Sequence, residues 1–268
     1  RPQPTWKEWW KGDRKYVEMG SEGAYGGYYT KEDIAELVSY AAARHIELIP
    51  EIEMPSHSEE VLAAYPELGC TGEPYKDSDF CVGNEAVFTF LETVLTEVME
   101  MFPSEYIHIG GDEAGKEHWK TCPTCQQRMA DENISDVDGL QSYMIHRIGK
   151  FIASKGRKMI GWDEILQGGL APGAVVMSWR GTEVGIEAMA AGHDVIMTPG
   201  RYCYLDHAQD APFKEPESIG GYLPLDSVYV YEPFEPKMPK DKLNHILGLQ
   251  ANLWSEYIPT DEHAEYMY

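Results

Sequence analysis

Hydrophobic and polar positions follow no period over the first thirty residues. Trp6, Trp9, Trp10 and Tyr16 are scattered among turn formers up to Gly26-Gly27-Tyr28-Tyr29, so a long loop is predicted there. From Thr30 onward two patterns alternate. Thr30 and Asp33 are spaced as a capping box ahead of an amphipathic helix from Ile34 to Arg44. Asn84 opens a second helix through Val94 and Val98 to Phe102, where Pro103 stops it. Leu140 to Ser154 is a helix closed by Gly156, Glu183 to Ala191 one ended by Gly192, and the chain ends in the first turns of another. Between them lie short Ile- and Val-rich runs: Ile46 to Ile52, Tyr106 to Ile109, Lys158 to Trp162, Val175 to Trp179, Val195 to Thr198 and Ile246 to Leu253. Runs this short, alternating with helices, predict a parallel sheet built from βα units.

What recurs is a position rather than a sequence. Past the carboxyl end of each predicted strand stands a polar or aromatic cluster: Glu51-Glu53, Gly110-Gly111-Asp112-Glu113, Trp162-Asp163-Glu164, Trp179-Arg180, Tyr204-Asp206 and Trp254-Glu256. Chemistry gathers on that face in a (β/α)8 barrel. The predicted class is therefore α/β, a (β/α)8 TIM barrel of which this chain holds about six units, strands 3 to 8. Two strands are expected to precede Arg1 and a last helix to follow Tyr268. No linker, repeat or low-complexity run interrupts residues 1–268, so one catalytic domain, incomplete at both ends, is expected.

Charge removes several classes. The 22 Lys and Arg stand against 45 Asp and Glu, a net charge of −23, which is the wrong sign for gripping a phosphate backbone. No nucleic-acid partner is expected. No stretch approaches the ~18 apolar residues of a membrane span. The chain opens at Arg1 with neither a Met nor a charged, apolar leader, so any signal segment is expected to lie outside it. Tyr outnumbers Phe, 17 to 7, and rings with polar handles suit a sugar-binding surface as well as a core. Of five cysteines, Cys122-Pro-Thr-Cys125 with His118 is half of a zinc knuckle. A structural zinc needs four ligands and no second Cys-x-x-Cys exists, so a local disulfide or free thiols are expected. Cys70 and Cys81, eleven positions apart, could pair; Cys203 is the odd thiol.

The most chemical segment is Ile107-His108-Ile109-Gly110-Gly111-Asp112-Glu113. An apolar strand runs into two glycines, which allow close backbone approach, and then into adjacent carboxylates that unlike surroundings can set to different tasks. His108-Ile-Gly-Gly-Asp112-Glu113 resembles the signature of glycoside hydrolase family 20, the β-N-acetylhexosaminidases. Five further segments match that family in order: Pro50-Glu-Ile-Glu-Met-Pro-Ser-His57, Gly161-Trp-Asp-Glu164, Ser178-Trp-Arg-Gly181, Tyr204-Leu-Asp206 and Gly248-Leu-Gln-Ala-Asn-Leu-Trp-Ser-Glu256.

The resemblance implies a retaining exo-hydrolase acting on glycans that end in N-acetylglucosamine or N-acetylgalactosamine, with the substrate's own acetamide as nucleophile and no cofactor or metal. It implies Glu113 as general acid and base, kept protonated by burial or hydrogen bonding. Asp112 would orient the acetamide N–H and balance its developing charge, Tyr204 would donate to the acetamide oxygen, and His57 would stand behind Glu113. Trp162, Trp179 and Trp254 would wall the pocket, and Asp206 and Glu256 would accept from sugar hydroxyls. An exported location, periplasmic, extracellular or lysosome-like, is implied too. Asp163-Glu164 is read as structural and His108 as a hydrogen-bonded interior residue.

Two features depart from the family. Asp and Gly are more usual where Glu53 and Ser56 stand, and the Arg and Asp that the first two barrel strands contribute would precede Arg1. Two rivals remain at this stage. One is a metal-dependent barrel hydrolase with His57, His108, Asp112 and Asp163 as ligands, which lacks any His-x-His or His-Glu-x-x-His pattern. The other is a non-catalytic carbohydrate-binding barrel, for which a general acid has no use.

Overall fold

The structure is a computed structural model that describes residues 28–211 and 213–268. The aromatic loop expected at the start thus lies outside the described residues up to position 27. Six strands form one sheet: β1 (Glu51–Met54), β2 (Tyr106–Gly110), β3 (Lys158–Trp162), β4 (Val175–Ser178), β5 (Val195–Met197) and β6 (Ile246–Leu249). Each is parallel to the next and their spatial order is their chain order. A sheet without an order reversal, alternating with helices, is a partial (β/α) barrel rather than a doubly wound sheet.

Local chemistry explains the helices. Helix Glu85–Met101 begins where the Asn84 side chain accepts from Ala86 N–H at 3.0 Å, and it buries Val87, Phe88, Leu91, Leu95 and Val98 along one stripe. Helix Val137–Ser154 is capped by Asp136 through Gly139 N–H at 2.8 Å and buries Leu140, Met144, Ile145, Ile148 and Ile152. Each such aliphatic side chain contributes about 1.5–3 kcal/mol by leaving water. The predicted capping box is reciprocal: Thr30 N–H donates to Asp33 at 2.8 Å and Asp33 N–H to Thr30 Oγ1 at 3.1 Å, opening helix Lys31–Ala42.

The middle strands β2 to β5 are buried on both faces, as inner parallel strands are, while β6 at the edge leaves Leu247 and Leu249 exposed. Ile107, Ile109, Met159 and Val176 join the main core under the helices. Ile160, Trp162, Val175 and Met177 form a second cluster on the opposite face, with Tyr106, Trp179 and Ile196 packed against it. The register Ile160↔Val175 and Trp162↔Met177 stacks these side chains in layers.

Two predicted strands are shorter than their apolar runs. The first starts at Glu51, not Ile46: Pro50 has no N–H to give a ladder, and Ile46 and Ile49 are 55% and 41% exposed. The last ends at Leu249, because Asn252 turns to pair with residues 203–205 instead, donating to Cys203 O at 2.7 Å and accepting from Leu205 N–H at 2.8 Å. By contacts the chain divides into two compact units, one holding residues 28–40, 201–231 and 251–268 and the other residues 41–200 and 232–250. The whole sheet belongs to the second. No helix among the described residues is long and apolar enough to cross a membrane.

Neither cysteine pairing is formed. All five cysteines are free, and the sulfur nearest to that of Cys70 is that of Cys125, 3.7 Å away. The free-thiol alternative holds for Cys122 and Cys125, Cys70 and Cys81 are not joined, and the four sulfurs meet where two loops come together.

Candidate active site

β2 ends on Gly110 and Gly111, both with positive φ, 69° and 96°. A Cβ on Gly110 would lie 1.9–2.0 Å from the Glu53 carboxyl group, so only glycine lets the two strands' ends meet there. This turn delivers Asp112 and Glu113. The loop after β1 delivers His57, whose Nε2 lies 3.4 Å from Asp112 Oδ2 and 3.2 Å from Glu113 Oε2. His57 and Glu113 themselves hold left-handed backbones, φ 49° and 52°, which costs an ordinary side chain about 1–2 kcal/mol each. The hydrogen bond to Asp112, then the charges of Asp112 and Glu113, push the His57 imidazole up to about 9 against the opposing effect of burial. It is cationic at neutral pH.

Beneath this trio lies a set of carboxyls that the sequence marked only in part. Glu53 accepts from Met54 N–H at 3.1 Å and Gly111 N–H at 3.0 Å. Burial first, and the negative charge of Asp112 second, push Glu53 up to about 10, so it keeps its proton at neutral pH and stands as a donor towards Asp112. Glu51 accepts the Trp162 indole N–H at 2.8 Å and is pushed up to about 7, chiefly by burial. Its contact with His108 Nδ1 at 3.2 Å is not an ion pair. His108 is buried and held down to about 3, and its Nδ1 already accepts Gly110 N–H at 3.0 Å. The signal available for both glutamates was their alternation, two residues apart on one face of a strand.

Asp112 Oδ1 is buried and accepts no N–H from the described residues. Glu113 departs from expectation: its side chain is 57% exposed, so the described residues do not supply the burial that a general acid calls for. Trp162 is buried in the inner cluster, edge-on to His108 at 5.0 Å. Trp179 is half-buried, and its indole N–H donates to Glu164 at 2.9 Å.

Asp163 and Glu164 are both tied to the loop after β4, through Trp179 and Arg180. Asp163, fully buried, accepts the backbone N–H groups of Trp179 and Arg180 at 3.0 and 3.1 Å and pairs with the Arg180 guanidinium. These bonds fix the loop after β4 and consume the carboxylate. The four-residue ligand set named for a metal hydrolase is therefore not assembled among the described residues. Of His57, His108, Asp112 and Asp163, only His57 and Asp112 come together, with Glu113 as their third member.

Four of the nine predicted site residues belong to the other compact unit. Tyr204 bridges to Asn252 and sets its ring 5.5 Å from His207. Asp206 is buried, neither carboxylate oxygen has a partner among the described residues, and burial followed by the charge of Glu256 pushes it up to about 6. Trp254 and Glu256 are exposed. A buried carboxylate without a donor is costly, which marks Asp206 as an acceptor for an outside hydrogen-bond donor.

Comparison with known proteins bears on this arrangement. The profile of "Glycosyl hydrolase family 20, catalytic domain" matches residues 7–268. A beta-hexosaminidase of Porphyromonas gingivalis is 48% identical over 267 residues, covering 94% of this chain and 34% of its own length. One from Vibrio furnissii is 36% identical over 255 residues, covering 91% and 42%. Among solved structures, an exo-β-N-acetylglucosaminidase of Vibrio harveyi in complex with N-acetylglucosamine superposes with a TM-score of 0.81 at 31% identity, over 91% of this chain and 40% of that one. A β-N-acetylhexosaminidase of Bacteroides fragilis gives 0.75 at 34% identity, over 86% and 47%. The chain thus spans less than half the length of each of these relatives.

Proposed function

For a chain that belongs to glycosyl hydrolase family 20, we propose a retaining exo-β-N-acetylhexosaminidase that removes terminal N-acetylglucosamine or N-acetylgalactosamine with help from the substrate's acetamide. One observation carries this reading: Asp112 turns one carboxylate oxygen to His57 and keeps the other buried, with no N–H donor to it among the described residues, beside Glu113. An amide N–H is the donor such an oxygen wants. The Vibrio harveyi relative's complex with N-acetylglucosamine supports that sugar as substrate.

In the first step the acetamide oxygen attacks the anomeric carbon as the C1–O bond breaks. The Glu113 carboxyl proton goes to the leaving oxygen, and an oxazolinium ion forms. Asp112 accepts the acetamide N–H and offsets the positive charge spread over it. Protonated Glu53 behind Asp112 and cationic His57 beside it fix where that carboxylate points. In the second step Glu113, now a carboxylate, takes a proton from water, whose oxygen attacks C1 and opens the ring. Two displacements at one carbon restore its configuration. Bound substrate completes the cover over Glu113. Trp179, half-buried, gives apolar surface to the ring.

The test uses the full-length protein. Proton NMR of an early reaction should show the β-anomer first, and a thiazoline mimic of the oxazolinium ion should bind at least ~100-fold more tightly than N-acetylglucosamine. Asp112→Asn should lower kcat more than it raises KM, because the charge it offsets arises near the transition state. Appearance of the α-anomer first, or equal binding of mimic and sugar, refutes the mechanism.

A further inference from the structure

The loop after β1 and the loop after β2 meet at four sulfurs. Cys81, Cys122 and Cys125 are buried and Cys70 is half-buried. Sulfur–sulfur distances are 3.7 Å for Cys70–Cys125, 3.7 Å for Cys81–Cys122 and 3.6 Å for Cys81–Cys125, and all four ligand atoms lie within 4.8 Å of one another. Four thiolates at ~2.3 Å from a tetrahedral zinc stand about 3.8 Å apart along each edge. A disulfide brings its sulfurs to ~2.05 Å and chooses one partner. Here Cys81 is as close to Cys122 as to Cys125, and Cys125 as close to Cys70 as to Cys81, so no pairing is chosen.

We propose that Cys70, Cys81, Cys122 and Cys125 bind one zinc ion as a structural tetrathiolate site that pins the loop bearing His57 to the loop bearing Asp112 and Glu113. The surroundings are built for it. Cys122 stands at the start of helix Pro123–Asp131, so Cys122-Pro-Thr-Cys125 is a chelating turn leading into the helix. Gly83 passes so close that a Cβ there would lie 2.2–2.4 Å from the backbone of Thr124 and Cys125, and its backbone hydrogen-bonds the Cys125 sulfur. Bonds of this kind from the chain to metal-bound sulfur hold a ligand in place. Gly69 and Phe80 bridge in antiparallel fashion, setting Cys70 and Cys81 side by side. Around the sulfurs, Trp119 Nε1–H donates to Phe80 O at 3.0 Å, the His118 ring meets Asp77 at 2.5 Å, and Asp79 accepts Lys116 N–H at 2.8 Å. Two of these four positions, Cys70 and Cys81, come from another loop and share no metal-site spacing, which is why a single Cys-x-x-Cys gave no zinc site. Binding displaces the thiol protons, so it weakens in acid.

The protein, purified without chelator, should carry one zinc per chain by elemental analysis. In denaturant with chelator it should show five titratable thiols, the four ligands and Cys203. Cobalt added to the chelated protein should give the visible bands of a tetrahedral thiolate site. Cys70→Ser and Cys81→Ser should each lower zinc content at least tenfold, whereas Cys203→Ser should keep it. Chelation should speed limited proteolysis in residues 56–84. Because a serine variant that fails to fold would also lose zinc, the cobalt spectrum of the wild type is the deciding measurement. One thiol in denaturant, meaning two disulfides, overturns the proposal. So do five thiols without any metal, iron in place of zinc, or cobalt bound without the thiolate bands.

Discussion

Asp206→Asn should make the protein more stable at neutral pH while weakening its grip on sugar. The wild-type carboxyl is buried, without a partner among the described residues, and pushed from an ordinary 3.8 to about 6. The sign follows from linkage. Below 3.8 both folded and unfolded chains hold the proton and nothing is lost. Between 3.8 and about 6 the unfolded chain releases it first, so folding becomes less favourable as pH rises. Above about 6 the deficit is constant. Each tenfold in proton affinity is worth about 1.4 kcal/mol, so the deficit at pH 7 is about 3 kcal/mol, against about 0.5 kcal/mol at pH 4. Asparagine has no such deficit and, like a protonated aspartic acid, is neutral and carries both donor and acceptor capacity. Its advantage over wild type should therefore be about 2.5 kcal/mol larger at pH 7 than at pH 4, a Tm difference of roughly 5–10 °C. Thermal and urea melts of both proteins at the two pH values measure it. An advantage that does not change with pH, or a variant weaker at pH 7 than at pH 4, refutes the account of Asp206 as a strained acceptor.

Other substitutions probe the remaining parts of the site. Glu113→Gln should remove most turnover on glycosides with poor leaving groups and far less on activated aryl glycosides, since an activated group departs without a proton; equal losses would end the acid assignment. Gly110→Ala places a Cβ 1.9–2.0 Å from the Glu53 carboxyl on a backbone at φ 69°. Left-handed strain of about 1–2 kcal/mol and two displaced hydrogen bonds of about 1 kcal/mol each predict a loss of about 3–4 kcal/mol in urea unfolding, and a loss under 1 kcal/mol would show that the turn yields freely. His57 is held up to about 9, so its stabilising contribution is complete below pH ~6.5 and fades as pH rises towards 9. With the ring 46% exposed, solvent screens much of it. His57→Gln should flatten the fall in Tm between those pH values, and parallel curves for the two proteins would contradict the ion pairing.

Much of the barrel was written in apolar runs that carry their own stop signals. Lys158–Trp162 has the bounds the sequence predicts, and β2, β4 and β5 end within a residue of them, because glycine, proline or a polar cluster closes each run. The failures lie at the first and last strands, where the end of pairing is decided by neighbours: Pro50 withholds a donor and Asn252 bonds elsewhere. The site divides in the same way. Asp112 and Glu113 follow a glycine turn that is visible in the chain. Glu53, by contrast, owes its proton to burial against Gly110 and Gly111, fifty-odd residues away, and no local pattern encodes that. The four sulfurs escaped notice for the same reason, since Cys70 and Cys81 reach the Cys122–Cys125 turn only through the packing of two loops.

The left-handed backbones of His57 and Glu113 carry a consequence on the timescale of descent. Glycine holds such angles without cost and asparagine with little. Any descendant relieved of the need for turnover therefore stands to gain stability by replacing these two positions first, ahead of any in the core. Drift towards silence would leave its mark at 57 and 113 as Gly or Asn, while Asp163, bound up in holding the β4 loop, would persist long after the chemistry had gone.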